Sequence, residues 1–309
     1  MTSSDTFEDI YFTSRDGLRL HARRYATRLD TSRSTRPRPV LCLAGLTRNG
    51  RDFHDLALAL SRHHSSPRTV YTLDYRGRGL SEFDPDWRNY SISVEMLDVL
   101  DFITLTGLHD IALIGTSRGG LITMLLAAVR PTAIGAAVLN DIGPVIENDG
   151  LARISGYVGR VPLPISWADA ARMTRELTRR QFPEIPDAVW EEVARQWYNE
   201  RNGRPAPGYD AGLGNALSVL DGPLPALWPQ FEALKRVPLM VVRGENSDLL
   251  TAATVDEMRR RHPAMATITV PGQGHAPLLK DATTIEAIRH FLAATDTARQ
   301  HTSLASIAS

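Results

Sequence analysis

A serine between two glycines offers a nucleophile in the middle of this chain. Ser117 stands in the run Leu113-Ile114-Gly115-Thr116-Ser117-Arg118-Gly119-Gly120. Apolar residues 111–114 precede the serine as a short strand, and residues 121–130 follow it as helix formers that end at Pro131. A serine at a sharp strand-to-helix turn is held in a strained backbone conformation, so residues two positions away must have almost no side chain. The spacing therefore predicts a reactive serine at such a turn.

A serine hydroxyl becomes a good nucleophile when a base removes its proton and a third group orients that base. The chain contains nine histidines. His275 is the candidate base, because it stands in the flexible loop 272–277 directly after the last predicted strand, 266–270. The other histidines fall on a hairpin, on helices, on connections or in the tail, and we interpret them as structural or surface residues.

Two carboxylates compete for the third position. Asp248 follows the predicted strand 238–243, and Asp141 follows the preceding predicted strand, 134–139. Both strand ends reach the same edge of a parallel sheet as the serine, so either side chain could approach the far nitrogen of His275. Asp248 is favoured, because an acid one strand-helix unit before the histidine is the ordinary order. Asp141 is the alternative acid and is otherwise a cap or hinge residue.

Charge that develops on a carbonyl oxygen during acyl transfer needs preorganised N–H donors. The backbone N–H of Arg118 is one expected donor, because it follows the serine at the start of the helix. The second is expected in the loop after the first parallel strand, residues 40–43. There Gly45 allows a close approach of the backbone, and the N–H of Leu46 is the best placed. These two amides predict an oxyanion hole.

The elements that position these side chains alternate along the chain. An N-terminal hairpin turns at Asp16-Gly17, and strands that are apolar along their whole length then alternate with helices up to about residue 139. Fully apolar strands predict a buried parallel sheet. Between residues 142 and 236 only helical stretches occur, separated by proline and glycine. We therefore expect an α/β core, 1–141 and 237–309, with a helical lid, 142–236, over the carboxyl edge of its strands.

Composition excludes several classes of function. Lys plus Arg and Asp plus Glu balance at 35 each, so no net charge favours nucleic acid or an anionic membrane. The single cysteine, Cys42, excludes an internal disulfide and a cysteine-rich metal site. No apolar run approaches the length of a membrane span, and the N-terminus lacks the pattern of a signal peptide. We expect a cytoplasmic protein that needs no metal and no cofactor, and a homodimer is allowed.

Several of these segments together resemble the α/β-hydrolase superfamily, and the resemblance covers residues 8 to 294. The segments are Leu43-Ala44-Gly45-Leu46, Leu73-Asp74-Tyr75-Arg76-Gly77-Arg78-Gly79-Leu80-Ser81, the serine turn, and the loops that carry Asp248 and His275. The resemblance implies a mostly parallel eight-stranded sheet flanked by helices, with a helical cap after the sixth strand. One departure is that many relatives have His-Gly where this chain has Ala44-Gly45. Some relatives, including lactonases, take their acid from the strand end where Asp141 stands.

The resemblance and the Ser, His, Asp set imply a cofactor-free serine hydrolase that cleaves a carboxylic ester through an acyl-enzyme at Ser117. A lactonase or a carbon–carbon bond hydrolase would use the same residues, and a non-catalytic ligand receptor could share the fold. The expected partner is a small-molecule ester or lactone. Arg48, beside the oxyanion loop, is a candidate contact for a substrate carboxylate. Trp197 is one of several lid aromatics that are candidates to line an apolar pocket.

Overall fold

The computed structural model describes residues 6–27, 37–218 and 225–307. The strands are β1 (Glu8–Thr13), β2 (Arg19–Tyr25), β3 (Val40–Leu43), β4 (Val70–Asp74), β5 (Ile111–Thr116), β6 (Ile134–Asn140), β7 (Asn199–Arg201), β8 (Arg204–Ala206), β9 (Leu239–Gly244) and β10 (Ala266–Val270). The helices are α1 (His54–Ser61), α2 (Ile92–Leu105), α3 (Arg118–Val129), α4 (Asn148–Tyr157), α5 (Trp167–Thr178), α6 (Asp187–Trp197), α7 (Leu213–Ser218), α8 (Trp228–Glu232), α9 (Ala252–Arg261) and α10 (Ala282–Ile307).

Eight of the strands form one sheet in the order β1-β2-β4-β3-β5-β6-β9-β10. β1 pairs antiparallel with β2, and β2 pairs antiparallel with β4, whereas every pair from β4 to β10 is parallel. The hairpin turn expected at Asp16-Gly17 is present, with Gly17 at φ 92°. This is the predicted mostly parallel α/β-hydrolase sheet. β5, which ends beside Ser117, lies at its centre between β3 and β6.

The central strands are buried on both faces, which explains why they are apolar along their whole length. On β3, Leu41 and Leu43 pack into a core that includes Phe102 of α2. The intervening Val40 and Cys42 pack into a second core on the opposite face of the sheet, with side chains from α1 and α10. Alternate side chains of one strand therefore fill two separate helix-covered layers. The sheet is thus packed on both faces, which leaves its carboxyl edge for the loops that follow the strands.

The segment between β6 and β9 contains α4 to α8 and a short hairpin of β7 and β8. Its own small core includes Phe182, Trp190 and Val193. The sequence predicted helices alone here, so the hairpin is a correction. It turns at Asn202-Gly203, where both residues have positive φ, and Asn-Gly is the preferred pair for such a tight turn. The interpretation of residues 142–236 as a lid stays a prediction.

None of the helices in the described ranges is both long and apolar enough to cross a membrane.

Candidate active site

Ser117 lies at the turn between β5 and α3 with φ 51° and ψ −114°. The two flanking glycines are required by close backbone contacts. A Cβ on Gly115 would lie 2.5 Å from backbone atoms of Gly119, and a Cβ on Gly119 would lie 2.1 Å from the carbonyl oxygen of Leu43. No side chain fits at either position. The strained serine conformation is therefore enforced by the packing of the α3 N-terminus against β3 and β5.

His275 lies in the loop after β10 and reaches the serine directly. Its Nε2 is 2.8 Å from Ser117 Oγ. The histidine side chain is 7% exposed, and its backbone N–H donates to Gln181 Oε1 at 2.7 Å. A second residue, Asn140 at the end of β6, donates its side-chain amide to the carbonyl oxygen of Pro277. These two contacts fix the histidine loop over the serine.

Asp141 lies on the far side of the imidazole. Its Oδ2 is 2.8 Å from His275 Nδ1 and accepts a hydrogen bond from Ser247 Oγ at 2.6 Å. Its Oδ1 accepts from the backbone N–H of Gly244 at 2.7 Å. The aspartate is fully buried at φ 55°, a left-handed conformation that Asp and Asn adopt more readily than other side chains. Serine, histidine and aspartate thus form a continuous hydrogen-bonded chain.

The loop predicted to supply an oxyanion donor passes beside the serine. A Cβ on Gly45 would lie 3.8 Å from Ser117 Cβ, so the next residue, Leu46, is close to the nucleophile. Arg118 is the first residue of α3, where backbone N–H groups lack intrahelical acceptors. The roles of the Leu46 and Arg118 amides stay predictions, and their neighbourhood is compatible with them.

A buried ion-pair network contacts both Leu46 and Arg118. The Arg78 Nε donates to the carbonyl oxygen of Leu46 at 2.9 Å. Glu95, which is fully buried, binds Arg78 Nη1 at 2.7 Å and Arg118 Nε at 2.5 Å. Burial raises the pKa of Glu95, but the attraction of the two guanidinium groups outweighs burial and leaves the pKa below its ordinary value. One carboxylate thus connects the two residues of the predicted oxyanion hole.

Comparison with known proteins identifies the family. Residues 40–287 match the family model described as "Alpha/beta hydrolase family". The chain belongs to this family. A 3-hydroxybutyrate-oligomer hydrolase from Cupriavidus necator is 32% identical to it over 269 residues, which cover 82% of this chain and 88% of the relative. A 2-(acetamidomethylene)succinate hydrolase from Mesorhizobium japonicum is 26% identical over 256 residues, which cover 82% and 87%. The crystal structure of an alpha/beta hydrolase from Novosphingobium aromaticivorans is similar at a TM-score of 0.85 and 41% identity, covering 94% of this chain and 99% of that one.

In this hydrolase the carboxylate that binds His275 belongs to Asp141, the alternative acid of the sequence analysis. Asp248 binds Arg153 of α4 through two hydrogen bonds, at 2.6 and 2.9 Å, and no hydrogen bond joins it to His275. Burial raises the pKa of Asp248, but the arginine outweighs burial and lowers the pKa overall. The prediction that Asp248 partners the histidine is therefore wrong. Asp141 has this position because it directly follows β6 and its backbone turns the carboxylate toward His275.

Arg48 and Trp197 meet beside Ser117, as neighbouring walls of one small cavity. The Arg48 guanidinium lies 3.6 Å from the centre of the Trp197 ring and binds Asp52 at 2.6 Å. Burial lowers the pKa of Arg48 and raises that of Asp52, and the attraction between the two opposes both shifts. Because Asp52 already neutralises the guanidinium, Arg48 does not present a free cation to a substrate carboxylate.

Two cavities include Ser117 in their walls. The small one has a volume of about 90 Å³ and is lined by His275, Arg48, Arg153 and Trp197 among others. The other has a volume of about 540 Å³, and its walls are largely aliphatic. The two share Ser117, Leu46 and Ile154. Within the described ranges, no group of three or more His, Cys, Asp and Glu side chains could hold a metal ion.

The sequence analysis missed Glu95, Arg153 and Gln181. A signal existed for Glu95, because it shares one face of α2 with the buried Val99 and Phe102 at helical spacing. A charged residue on an apolar helix face must be paired when it is buried. No comparable signal existed for Arg153 or Gln181, since both lie in the inserted segment and find their partners about a hundred residues away.

Proposed function

We propose that this hydrolase cleaves carboxylic esters through an acyl-enzyme formed at Ser117. The observation that carries the proposal is the hydrogen-bonded chain from Ser117 Oγ through His275 to Asp141, at 2.8 Å for each of the two links. A neutral imidazole that carries its proton on Nδ1 donates to Asp141 and leaves Nε2 free to accept the serine proton. This is the arrangement that activates a serine hydroxyl at neutral pH.

The reaction then has two halves. His275 removes the proton of Ser117 as Oγ attacks the ester carbonyl carbon, and the carbonyl oxygen becomes an oxyanion held by the amides of Leu46 and Arg118. The protonated histidine donates its proton to the leaving alcohol, which departs and leaves the acyl-serine. Water then gives its proton to His275 and attacks the acyl carbon, and the collapse of the second oxyanion returns the proton to Ser117 and releases the acid.

The similar proteins support the hydrolase class but differ in the compounds that their names give. The relative from Cupriavidus necator is named for 3-hydroxybutyrate oligomers and the one from Mesorhizobium japonicum for 2-(acetamidomethylene)succinate. The choice of an ester therefore rests on the serine, histidine and aspartate geometry. We further propose that the enzyme acts without a cofactor, because the steps above use only groups of this chain.

Two measurements test the proposal. The wild-type protein should be labelled by a fluorophosphonate probe and should hydrolyse simple esters such as p-nitrophenyl butyrate, whereas Ser117→Ala should do neither. A matched control is Ser61→Ala, which removes a buried hydroxyl that donates to the carbonyl oxygen of Leu58 and lies outside the site. Hydrolysis of lactones or vinylogous diketones in preference to every ester would replace the ester assignment. Absence of labelling and of turnover would support a non-catalytic receptor.

A further inference from the structure

Gln181 gives the small cavity beside Ser117 a side-chain donor that a ligand can reach. The residue lines this cavity and is 8% exposed. Its Oε1 accepts the hydrogen bond from the backbone N–H of His275 at 2.7 Å, so the Nε2 group is turned away from that N–H. In the described part of the chain Nε2 donates no hydrogen bond, and it keeps accessible surface, unlike the enclosed donors Arg48 Nε and Trp197 Nε1. Gln181 therefore offers a free N–H to the cavity.

The position of Gln181 is fixed by its neighbours. It lies just after α5, and its backbone N–H donates to the carbonyl oxygen of Thr178 at 2.8 Å. The next residue, Phe182, packs into the small core of the inserted segment. Gly274 makes room for the carboxamide, because a Cβ at that position would lie 2.0 Å from Gln181 Oε1. The glycine before His275 thus lets a side chain of the inserted segment reach the backbone of the histidine.

The contact with His275 matters for the geometry of the base. The histidine side chain is 7% exposed, and its loop is packed between the core and the inserted segment. A backbone N–H that loses its acceptor in such a place favours a different arrangement of the loop. Proton transfer depends on the 2.8 Å between His275 Nε2 and Ser117 Oγ, and a displacement of about 1 Å can lower a rate about a hundredfold. Gln181 Oε1 is therefore placed to hold the imidazole in register with the serine.

The free N–H of Gln181 calls for an uncharged acceptor. The two arginines of the small cavity are already paired, Arg48 with Asp52 and Arg153 with Asp248. A carboxamide N–H has no net charge and forms ordinary hydrogen bonds with ether, ketone, hydroxyl or ester oxygens. An oxygen of one of these kinds suits this point of the cavity better than a carboxylate does.

We propose that Gln181 acts on both the base and the substrate: Oε1 positions His275, and Nε2 donates to an uncharged oxygen that the substrate carries besides the ester group that is cleaved. This inference rests on the proposed ester hydrolysis and specifies its substrates as esters with a second oxygen function.

Pairs of esters that differ by one oxygen test the donor. 2-Methoxyethyl butyrate matches butyl butyrate in shape, and ethyl 3-ethoxypropanoate matches ethyl hexanoate, so the two pairs place the extra oxygen on either side of the ester. For each pair the measured quantity is kcat/KM of the oxygen ester divided by kcat/KM of its methylene counterpart. Gln181→Glu keeps an acceptor for the His275 N–H but removes the donor. We expect it to lower this ratio about fivefold for at least one pair, the effect of one hydrogen bond.

The methylene esters test the positioning of the base, because they cannot use the donor. Gln181→Met removes the acceptor as well, so kcat for butyl butyrate should fall at least tenfold while KM changes little. Fluorophosphonate labelling of Ser117 should slow by a similar factor. Gln181→Glu restores the acceptor and should label at close to the wild-type rate, which also shows that this variant is folded.

Arg180→Met is the matched control, because this exposed neighbour of Gln181 lines neither cavity beside the serine. It should leave both ratios, kcat and labelling unchanged. The proposal is overturned when Gln181→Glu leaves both ratios at their wild-type values, or when Gln181→Met is labelled as fast as the wild type. If the wild type hydrolyses no ester and is not labelled, the proposed function itself fails, which is a different result from hydrolysis that ignores Gln181.

Discussion

Replacing one carboxylate oxygen of Asp141 by an NH₂ group, in Asp141→Asn, should almost abolish activity, whereas the same replacement at Asp248 should not. Asp141→Asn keeps the size of the side chain, and the backbone is at φ 55°, which asparagine tolerates as well as aspartate. The replacement therefore tests the hydrogen bonds alone. In the native site all three groups that face the Asp141 carboxylate, His275 Nδ1, Ser247 Oγ and Gly244 N, are donors.

The orientation of the new amide can be worked out from these contacts. An NH₂ group facing the Gly244 N–H would leave two buried donors opposed, at a cost of about 1–3 kcal/mol. The amide oxygen should therefore face Gly244, and the NH₂ group should face the imidazole. His275 must then accept at Nδ1 and carry its proton on Nε2, the tautomer that cannot take the proton of Ser117. The expected loss in kcat is roughly 10⁴-fold, or about 5 kcal/mol in the activation free energy.

Asp248→Asn perturbs only the pair with Arg153. Both of these side chains are between a quarter and a third exposed, at 26% and 29%, and such pairs contribute about 1 kcal/mol or less. We expect kcat to fall less than fivefold. Initial rates with p-nitrophenyl butyrate, normalised to protein whose fold is checked by circular dichroism, measure both variants. A larger loss in Asp248→Asn than in Asp141→Asn would refute the reasoning.

Three further outcomes follow from close contacts of single side chains. Glu95→Gln leaves two buried arginines partly uncompensated, so it should lower the unfolding free energy by about 3 kcal/mol and reduce kcat more than it raises KM. The exposed Glu176→Gln should leave the unfolding free energy, kcat and KM unchanged. Urea denaturation and steady-state kinetics measure these quantities. Gly119→Ala should abolish fluorophosphonate labelling because its Cβ would meet a backbone oxygen of β3, while Gly156→Ala, with nothing within 4 Å, should label normally. A hydrogen bond from a buried arginine lowers the pKa of Asp16 to about 2, so its stabilisation is complete above the unfolded pKa near 4 and is lost as pH falls through about 2. The unfolding free energies of wild type and Asp16→Asn should converge over that pH range, and a constant difference would contradict this.

The strands of the sheet were predictable because burial leaves a direct record in the sequence. All seven residues of β6 are buried, and no polar side chain interrupts its first six positions. The serine turn was equally clear, since the Gly115 and Gly119 contacts admit no other residue. By contrast, the β7–β8 hairpin has strands of three residues each, too short for any alternation to emerge, and the Asn-Gly pair at its turn was its only signal.

The choice between the two acids could not be made from local pattern. β6 and β9 are neighbours in the sheet, so Asp141 and Asp248 both follow strands that end at one edge. Two features decide between them, and neither is local. One is the Gly244 N–H, which turns toward Asp141 across the sheet, and the other is Arg153, which binds Asp248 from a helix 95 residues earlier. Chain order favoured the wrong residue because it contains no information about α4.

The contact between Asp248 and Arg153 is one of several that join the inserted segment to the loops around Ser117. Arg153 of α4 binds the loop after β9, and Gly150 packs so tightly on that loop that a Cβ there would lie 2.7 Å from the Asp248 carbonyl oxygen. Gln181 Oε1 accepts a hydrogen bond from the backbone N–H of His275. Asn49, in the loop after β3, donates its side-chain amide to the carbonyl oxygen of Gln196. The segment therefore contacts three of the loops that surround Ser117. A change that removes the Gln181 contact should alter the orientation of the imidazole, because Gln181 Oε1 accepts a hydrogen bond from the backbone N–H of His275.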